Sequence, residues 1–456
     1  MRDDFRLALF SQVRKAVDLV IAASGREQRA HFVTRWSNDG SWHSAWEQRP
    51  SYSSGFNALR DKLNEFASPI ETAWLAAYPE INDGSHFFGS YAIGISTSPL
   101  SRLIGSLTEC VLKVNHSPDD VDIYDAIDQF GKERAVGAVR KQFIAFVSGL
   151  QVADPAIDRI PLDDQVSIVR IDEALIQRLL DEMYGGAPSV DDTILGHSFA
   201  LSGECDAPLS NAGQQQDVKR ESATPGQLPQ RLLNLIRNLN VFKGGCLYIP
   251  HVYFLPVRPS VHSRGVFGYG VTSMRWPQGA YTIGPDELNS LSKHMARMSK
   301  PTFSELDTAC TRLADAELRE NPVDSISDAV IGLEALLAGD GEREGLRLKF
   351  ALNYAAIAKY EECNERARRY REALDLYKIR SGLFHGSDAG VKEYDFGDCK
   401  RSLADCAAHS RDMLRETIKF FLALDGIPIK KDRKQAFWKE YWVSRYFGTS
   451  PGASQQ

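Results

Sequence analysis

A series of apolar residues at helical spacing in the C-terminal part of the chain constrains the fold most strongly. Residues 303–320 predict a helix that stops at Asn321-Pro322, because proline cannot continue a helix. A second helix is predicted by apolar residues that recur every three or four positions: Ile326, Val330, Leu333 and Leu337. The same spacing continues in residues 346–357, 365–379 and 401–424. Short connections between such helices favour a bundle of about four or five helices over residues 300–425.

The upstream sequence has a different character. Residues 1–152 predict a mainly helical region, with apolar periodicity at 100–114 and 124–147. Residues 153–299 predict a mixed α/β region, in which the strand-like runs are 166–171, 247–254 and 266–271. The overall expectation is an α+β fold, mainly α, with the helical bundle at the C-terminal end.

Two segments stand apart from these regions. Residues 206–230 are rich in Pro, Gly, Ser and Gln, and they predict an exposed loop. Residues 426–456 form a basic and aromatic tail. Alternating cations and aromatic rings suit the stacking of nucleic-acid bases. The alternative is that the tail packs back on the upstream domain or on a partner chain.

Composition excludes several classes of protein. A chain of 456 residues exceeds what one core usually supports, and a net charge of −6 argues against a protein that coats nucleic acid over its whole surface. Seven cysteines without a Cys-x-x-Cys pair indicate reduced thiols, and no apolar run approaches the length of a membrane span. We therefore expect a cytoplasmic protein of two to three domains, with no membrane partner, no metal site and no cofactor.

The residues best suited to chemistry are Arg380 and His385, which are separated by four residues. An imidazole transfers protons near neutral pH, and a guanidinium stays charged and can hold two phosphate oxygens at once. If both side chains faced one cleft, they would supply acid–base catalysis and charge stabilisation without a metal. This pairing suits cleavage of an RNA phosphodiester.

The same spacing occurs a second time, at Arg26 and His31. That copy follows an apolar helix and enters a polar stretch punctuated by Trp36 and Trp42, where no helical periodicity continues. The surroundings therefore favour Arg380 and His385 as the functional pair, with Arg26 and His31 as a chance match.

Two runs in the predicted bundle, Asp328 to Gly341 and Leu376 to Gly386, resemble the HEPN superfamily and, within it, the Apea-like HEPN domains. The similarity covers about residues 303–424, with a looser likeness over 244–297. It implies a bundle that pairs with a second copy, so that the Arg and His of two protomers face one cleft. Many members are metal-independent endoribonucleases that leave a 2′,3′-cyclic phosphate and act as toxins or in defence against phage, whereas others are inactive and only bind.

Carried over by position, the resemblance makes Arg380 the residue that holds phosphate and His385 the residue that transfers protons. Ser381 follows the arginine, where active relatives often have Asn, Asp or His, so its hydroxyl has a shorter reach. Glu334 could orient Arg380 or select the His385 tautomer as a supporting residue. The alternative for Glu334 is an ordinary solvated helix acid.

A local basic surface would be needed for an RNA partner. The candidates are Arg366, Arg369 and Lys378, which precede Arg380 on the same predicted helix. The alternative is a solvated helix face whose arginines are balanced by Glu361, Glu362, Glu365 and Glu372.

Three functional hypotheses follow from the sequence. The first is a HEPN-type endoribonuclease that acts as a homodimer through the bundle, in which the upstream region senses an unknown ligand or protein or restrains the site. The second is a catalytically silent HEPN module for dimerisation or RNA binding in a defence or regulatory protein. The third is an enzymatic site in the N-terminal region that carries no recognisable motif.

Overall fold

The computed structural model describes residues 3–25, 28–36, 42–77, 98–184, 198–209, 228–261, 267–270, 281–300, 303–338, 345–385, 391–424 and 431–448. The chain divides into two compact units. The first contains Met1–Ser148, Ile157–Arg231 and Ile249–Met274, and the second contains Gly149–Ala156, Leu232–Tyr248 and Arg275–Gln456. The expected class, α+β and mainly α, is confirmed.

The helices of the first unit are α1 (Asp3–Ser24), α2 (Ser53–Ala67), α3 (Glu71–Ala77), α4 (Pro99–Val114), α5 (Asp120–Val136) and α6 (Glu173–Tyr184). Apolar residues one turn apart on α1, among them Leu9, Val13 and Val17, are fully buried. They share a core with Leu103 and Leu107 of α4. The amphipathic periodicity of both segments therefore becomes a helix-on-helix core.

The strands of the first unit are β1 (Gln28–Trp36), β2 (Trp42–Pro50), β3 (Ala138–Phe146), β5 (Arg159–Pro161), β6 (Val166–Arg170), β7 (Phe199–Pro208), β8 (His251–Pro256) and β9 (Phe267–Gly270). β1 and β2 pair as an antiparallel hairpin. The others form an antiparallel sheet in the order β5-β6-β7-β3-β8-β9. Ile176 and Leu179 of α6 pack against Ile144 and Phe146 on one face of this sheet.

Two predictions for this unit need correction. The periodicity at 124–147 predicted one helical segment, but α5 ends at Val136 and residues 138–146 form β3. Gly137 causes the break, because it caps α5 in the left-handed conformation at φ 72°. Both ends of the predicted loop 206–230 belong to regular structure, since β7 includes 206–208 and a helix begins at Leu228. Residues 210–227 lie outside the described residues.

The helices of the second unit are α7 (Leu228–Phe242, from residue 232 onward), α8 (Leu288–Met298), α9 (Ser304–Leu318), α10 (Pro322–Leu337), α11 (Leu346–Ala355), α12 (Cys363–His385), α13 (Leu403–Leu422) and α14 (Lys431–Phe447). Its short strands are β4 (Leu150–Val152), β10 (Tyr281–Ile283), β11 (Tyr394–Phe396) and β12 (Cys399–Arg401). Helices α9 to α13 correspond to the five predicted segments of the bundle. Their shared core includes Leu313, Leu333, Phe350, Leu376 and Leu414, all fully buried.

The C-terminal tail joins this bundle. Trp438, Tyr441 and Trp442 of α14 are at most 9% exposed and belong to the bundle core. The Trp438 ring lies 5.0 Å from the ring of Phe421 on α13. Burial removes these three rings from a base-stacking surface, and the packing alternative accounts for them.

A buried ion-pair network joins α9 and α13. Arg415 and Glu317 pair with side chains that are each 7% exposed, and Arg415 Nε also donates to the Asn240 carbonyl oxygen at 2.9 Å. The guanidinium lies against Gly244, where a Cβ atom would be only 3.2 Å from Arg415 Nη2. A larger residue at this position would be in tight contact with the guanidinium and would require it to shift.

We predict that Arg415→Met destabilises the protein by up to about 3–5 kcal/mol, because the buried Glu317 carboxylate then keeps only its 3.1 Å ion pair with Arg411. Urea unfolding measures the change. Arg371→Met is the matched control, because Arg371 is 48% exposed and pairs at 3.0 Å with Asp398, which is 68% exposed. It should cost at most about 1 kcal/mol. Equal losses in both variants would contradict the assignment.

Candidate functional site

Both residues of the Arg–His pair lie on α12. The sequence predicted that this helix ends at residue 379, but it continues through His385. Arg380 therefore lies inside the helix with a half-buried side chain, and His385 is its exposed final residue. The motif is part of a regular helix, so helical geometry fixes the directions of both side chains.

That geometry separates Arg380 and His385 within one chain. An α-helix turns about 100° per residue, so residues five apart project about 140° from each other around the axis. Neither a hydrogen bond nor an ion pair joins the two side chains in the part of the chain that the structure describes. Sequence spacing alone predicted a shared cleft, and a single copy of α12 does not provide one.

Arg380 lies among one carboxylate and two aromatic rings. Its Nη1 atom is 3.6 Å from Oε1 of Glu334 on α10. Its Cζ atom is 5.6 Å from the ring centroid of Phe384 and 6.0 Å from that of Tyr377. Both rings are within range for cation–π attraction. Three neighbours therefore hold the guanidinium on one side of α12.

The Glu334–Arg380 contact is an ion pair without a hydrogen bond, because 3.6 Å exceeds hydrogen-bond distance. Among the described residues, Glu334 Oε1 and Arg380 Nε are both buried atoms that have no hydrogen-bond partner. Because Nε is buried, the donors that a phosphate could reach are those of the Nη groups, which make no hydrogen bond to Glu334 on a side chain that is 29% exposed.

The surroundings of the Glu334 carboxyl shift its pKa. Burial raises its pKa above the ordinary value, while Arg380 and a hydrogen bond from Tyr377 act in the opposite direction. Its side chain is only 21% exposed, so the solvated-acid alternative does not describe it. Glu334 was predicted to orient Arg380 or to select the His385 tautomer, and the structure places it beside Arg380.

Ser381 and His385 occupy another face of α12, since residues four apart lie one turn above each other. Both are exposed. Among the described residues, none forms a hydrogen bond or an ion pair with the His385 ring. Gly386, the last residue of the motif, lies outside the described residues.

The predicted RNA contacts separate into three cases. Arg369 is 7% exposed and pairs with Glu365 and Glu416, so it is corrected from a phosphate contact to a core ion pair. Arg366 is half-buried and donates to the Arg445 carbonyl oxygen at 3.1 Å. Lys378 is exposed and stays a predicted contact.

Two neighbouring arginines of α12 are also paired with acidic side chains. Arg368 pairs with Glu365 at 2.6 Å and with Glu372 at 2.5 Å, and Arg371 pairs with Asp398 at 3.0 Å. The balanced-charge alternative therefore describes this part of the helix, and the first half of α12 offers little free positive charge.

Sequence reasoning missed Tyr377. It lies three residues before Arg380, so both project to neighbouring positions on one helix face, and its ring centroid is 6.0 Å from Arg380 Cζ. The spacing was visible in the sequence, but only the position of α10 shows that a carboxylate faces it.

Other observations limit the chemistry of the described residues. No group of three or more His, Cys, Asp or Glu residues among them could hold a metal ion. None of the helices described is long and apolar enough to span a membrane.

Comparisons with protein-family models, with curated proteins and with solved structures gave no match to this chain. The HEPN resemblance thus remains a prediction that rests on the motif residues.

We predict that Arg380→Met destabilises the protein more at pH 8 than at pH 4, by about 1 kcal/mol. Arg380 lowers the pKa of Glu334, so its removal raises an already elevated folded pKa further. A folded pKa above the unfolded value means that stability is lost as pH rises between the two values. Urea unfolding at both pH values measures the difference. The double variant Arg380→Met/Glu334→Gln should lack this pH dependence compared with Glu334→Gln, and its persistence would contradict the assignment.

Proposed function

We propose that the second unit is a metal-independent endoribonuclease of the HEPN type, which cleaves RNA to leave a 2′,3′-cyclic phosphate. This proposal rests on the surroundings of the Arg380 guanidinium. Its guanidinium lies beside Glu334, Tyr377 and Phe384, yet it makes no hydrogen bond to Glu334, and its side chain is 29% exposed. A charged group that is held in place with unused donors suits an oxyanion ligand.

The proposed reaction uses two residues. The His385 imidazole accepts the proton of the ribose 2′-OH as its oxygen attacks the adjacent phosphorus. Arg380 stabilises the charge that develops on the non-bridging phosphoryl oxygens. The bond from phosphorus to the 5′-oxygen breaks, that oxygen takes a proton from an imidazolium or from water, and the other product ends in a cyclic phosphate.

The 140° separation on α12 favours a site shared by two copies of the chain. An arginine from one protomer and a histidine from its partner can face the same RNA where one chain alone does not bring them together. Apolar side chains are available for such pairing, since Leu348, Leu352 and Phe384 are 51%, 40% and 63% exposed. Leu348 and Leu352 lie one turn apart on α11. Exposed apolar patches commonly mark interfaces.

The second candidate is a catalytically silent module that binds RNA or dimerises. The observation in its favour is that His385 has no hydrogen-bond partner within the described residues, whereas a catalytic imidazole is usually oriented by a second group. In either case, we propose that the first unit responds to a trigger and that the protein acts in phage defence or as a regulated toxin.

Cleavage of end-labelled RNA in EDTA tests the first candidate. We expect wild type to produce cyclic-phosphate ends, and Arg380→Ala and His385→Ala to lose about 10²–10⁴-fold in rate. His116→Ala, an exposed histidine on the other unit, is the control and should keep full activity. RNA binding without cleavage by a folded wild-type dimer would favour the silent module.

Mixing two inactive variants tests whether two copies share the site. Arg380→Ala and His385→Ala proteins, co-expressed with different tags, should regain activity because the mixed dimer holds one intact arginine and one intact histidine in the cleft. Random pairing makes about half of the dimers mixed. Mixed dimers that are isolated through both tags and remain inactive would show that the residues do not act across the interface.

A further inference from the structure

We propose that Phe384 is a specificity-determining residue of this site, whose exposed ring stacks on an RNA base while Arg380 holds the neighbouring phosphate. The inference rests on the proposed ribonuclease function and names a feature that the substrate must have next to the cleaved phosphate. It adds a contact to a base, whereas Arg380 and His385 act on the phosphate and the ribose.

Phe384 and Arg380 lie on one side of α12. Residues four apart on a helix project within about 40° of each other, so the two side chains are one turn apart on the same face. The Arg380 Cζ atom is 5.6 Å from the centroid of the Phe384 ring. A flat apolar surface is therefore the neighbour of the cation that is proposed to bind phosphate.

The two aromatic neighbours of Arg380 differ in what they can contact. Tyr377 is 6.0 Å from Arg380 Cζ, and its ring is 5.9 Å from that of Phe350, a fully buried residue of α11. Phe384, in contrast, is 63% exposed. Tyr377 thus packs towards the core of the bundle, and Phe384 is the ring of the two that a ligand in solvent can reach.

The adjacent cation favours RNA over a second copy of the chain as the partner of Phe384. An apolar protein surface over this ring would also cover the Arg380 guanidinium, which makes no hydrogen bond to Glu334. Burying a cation without hydrogen bonds is costly. A nucleotide carries a base and a phosphate one ribose apart, so it supplies partners for the ring and for the charge. Leu348 and Leu352 of α11 remain for pairing between copies.

Stacking at Phe384 has a specific consequence for the substrate. The face of a base is open to a side chain only where the base is unstacked from its neighbours. Every base has such a face, so stacking requires that a base be present and does not select which one. We therefore expect the site to require a base beside the cleaved phosphate and to discriminate weakly among the four.

Substitutions separate stacking from another use of the ring. Phe384→Leu keeps an apolar side chain but loses the flat surface, whereas Phe384→Trp keeps and enlarges that surface. A ring that only positioned Arg380 by cation–π attraction would lower kcat when removed, because Arg380 acts on the transition state. A ring that stacks on the base in both the ground state and the transition state affects KM and leaves kcat little changed.

The first experiment measures RNA cleavage by the full-length variants. We expect Phe384→Leu to raise KM about tenfold with little change in kcat, and Phe384→Trp to keep a KM near that of wild type. An RNA with an abasic ribose beside the cleaved phosphate should raise the wild-type KM by a similar factor, and Phe384→Leu should add nothing with that RNA. Phe447→Leu is the matched control, since Phe447 is another phenylalanine of the second unit, 71% exposed, and should leave KM unchanged.

The second experiment needs no cleavage. His385→Ala protein is mixed with single-stranded RNAs that carry the fluorescent base 2-aminopurine at one position each. Stacking on an aromatic ring quenches this base, so we expect quenching at one position on binding. It should disappear when Phe384→Leu is added and persist when Phe447→Leu is added. Size-exclusion chromatography of the same proteins measures the dimer.

The two experiments separate the possible failures. RNA cleavage with KM unchanged in Phe384→Leu would overturn the role of Phe384 and leave the proposed function standing. Quenching that depends on Phe384 in a protein that cleaves no RNA would support the stacking contact and overturn the nuclease. Loss of the dimer in Phe384→Leu, with quenching unchanged, would assign the ring to pairing between copies and overturn the stacking role. A raised KM together with lost quenching supports both.

Discussion

The close contact between α10 and α13 at Gly332 determines the geometry on which the site depends. A Cβ atom at this position would lie 2.7 Å from Leu414 Cδ2, so only glycine allows the two helices to approach so closely without displacing the leucine. Glu334 lies two residues later on α10. The packing of α10 on α13 therefore helps to place the backbone of Glu334, which is the residue beside Arg380.

The polar groups of the second unit follow one electrostatic principle. Carboxylates that the packing removes from water, such as Glu317 and Glu334, are placed beside arginines. At Glu317 the pairing includes a hydrogen bond from Arg415 and joins α9 to α13. At Glu334 the arginine stays 3.6 Å away and makes no hydrogen bond to the carboxylate, and its side chain is 29% exposed. The first arrangement is suited to stability, and the second leaves a cation available to a ligand.

Much of the bundle could be predicted from the sequence, because apolar periodicity and helix-stop signals are local. Asn321-Pro322 separates α9 from α10 as expected, although Asn321 acts as the cap of the following helix through a 3.0 Å hydrogen bond from the Val323 amide. Residues 138–146 were missed, because β-branched and apolar residues there fit either period over a short window. The core role of Arg369 could not be predicted either, since Glu416 lies on a different helix.

The sequence by itself determined the class of the fold, the helices of the bundle and the presence of Arg380 and His385 on one of them. These properties depend on residues within a few turns of each other. Only the tertiary structure decided which groups surround Arg380, that α14 covers the bundle with its aromatic rings, and that one chain directs Arg380 and His385 apart. Those outcomes depend on contacts between residues far apart in sequence and on how far α12 continues, which no local pattern encodes.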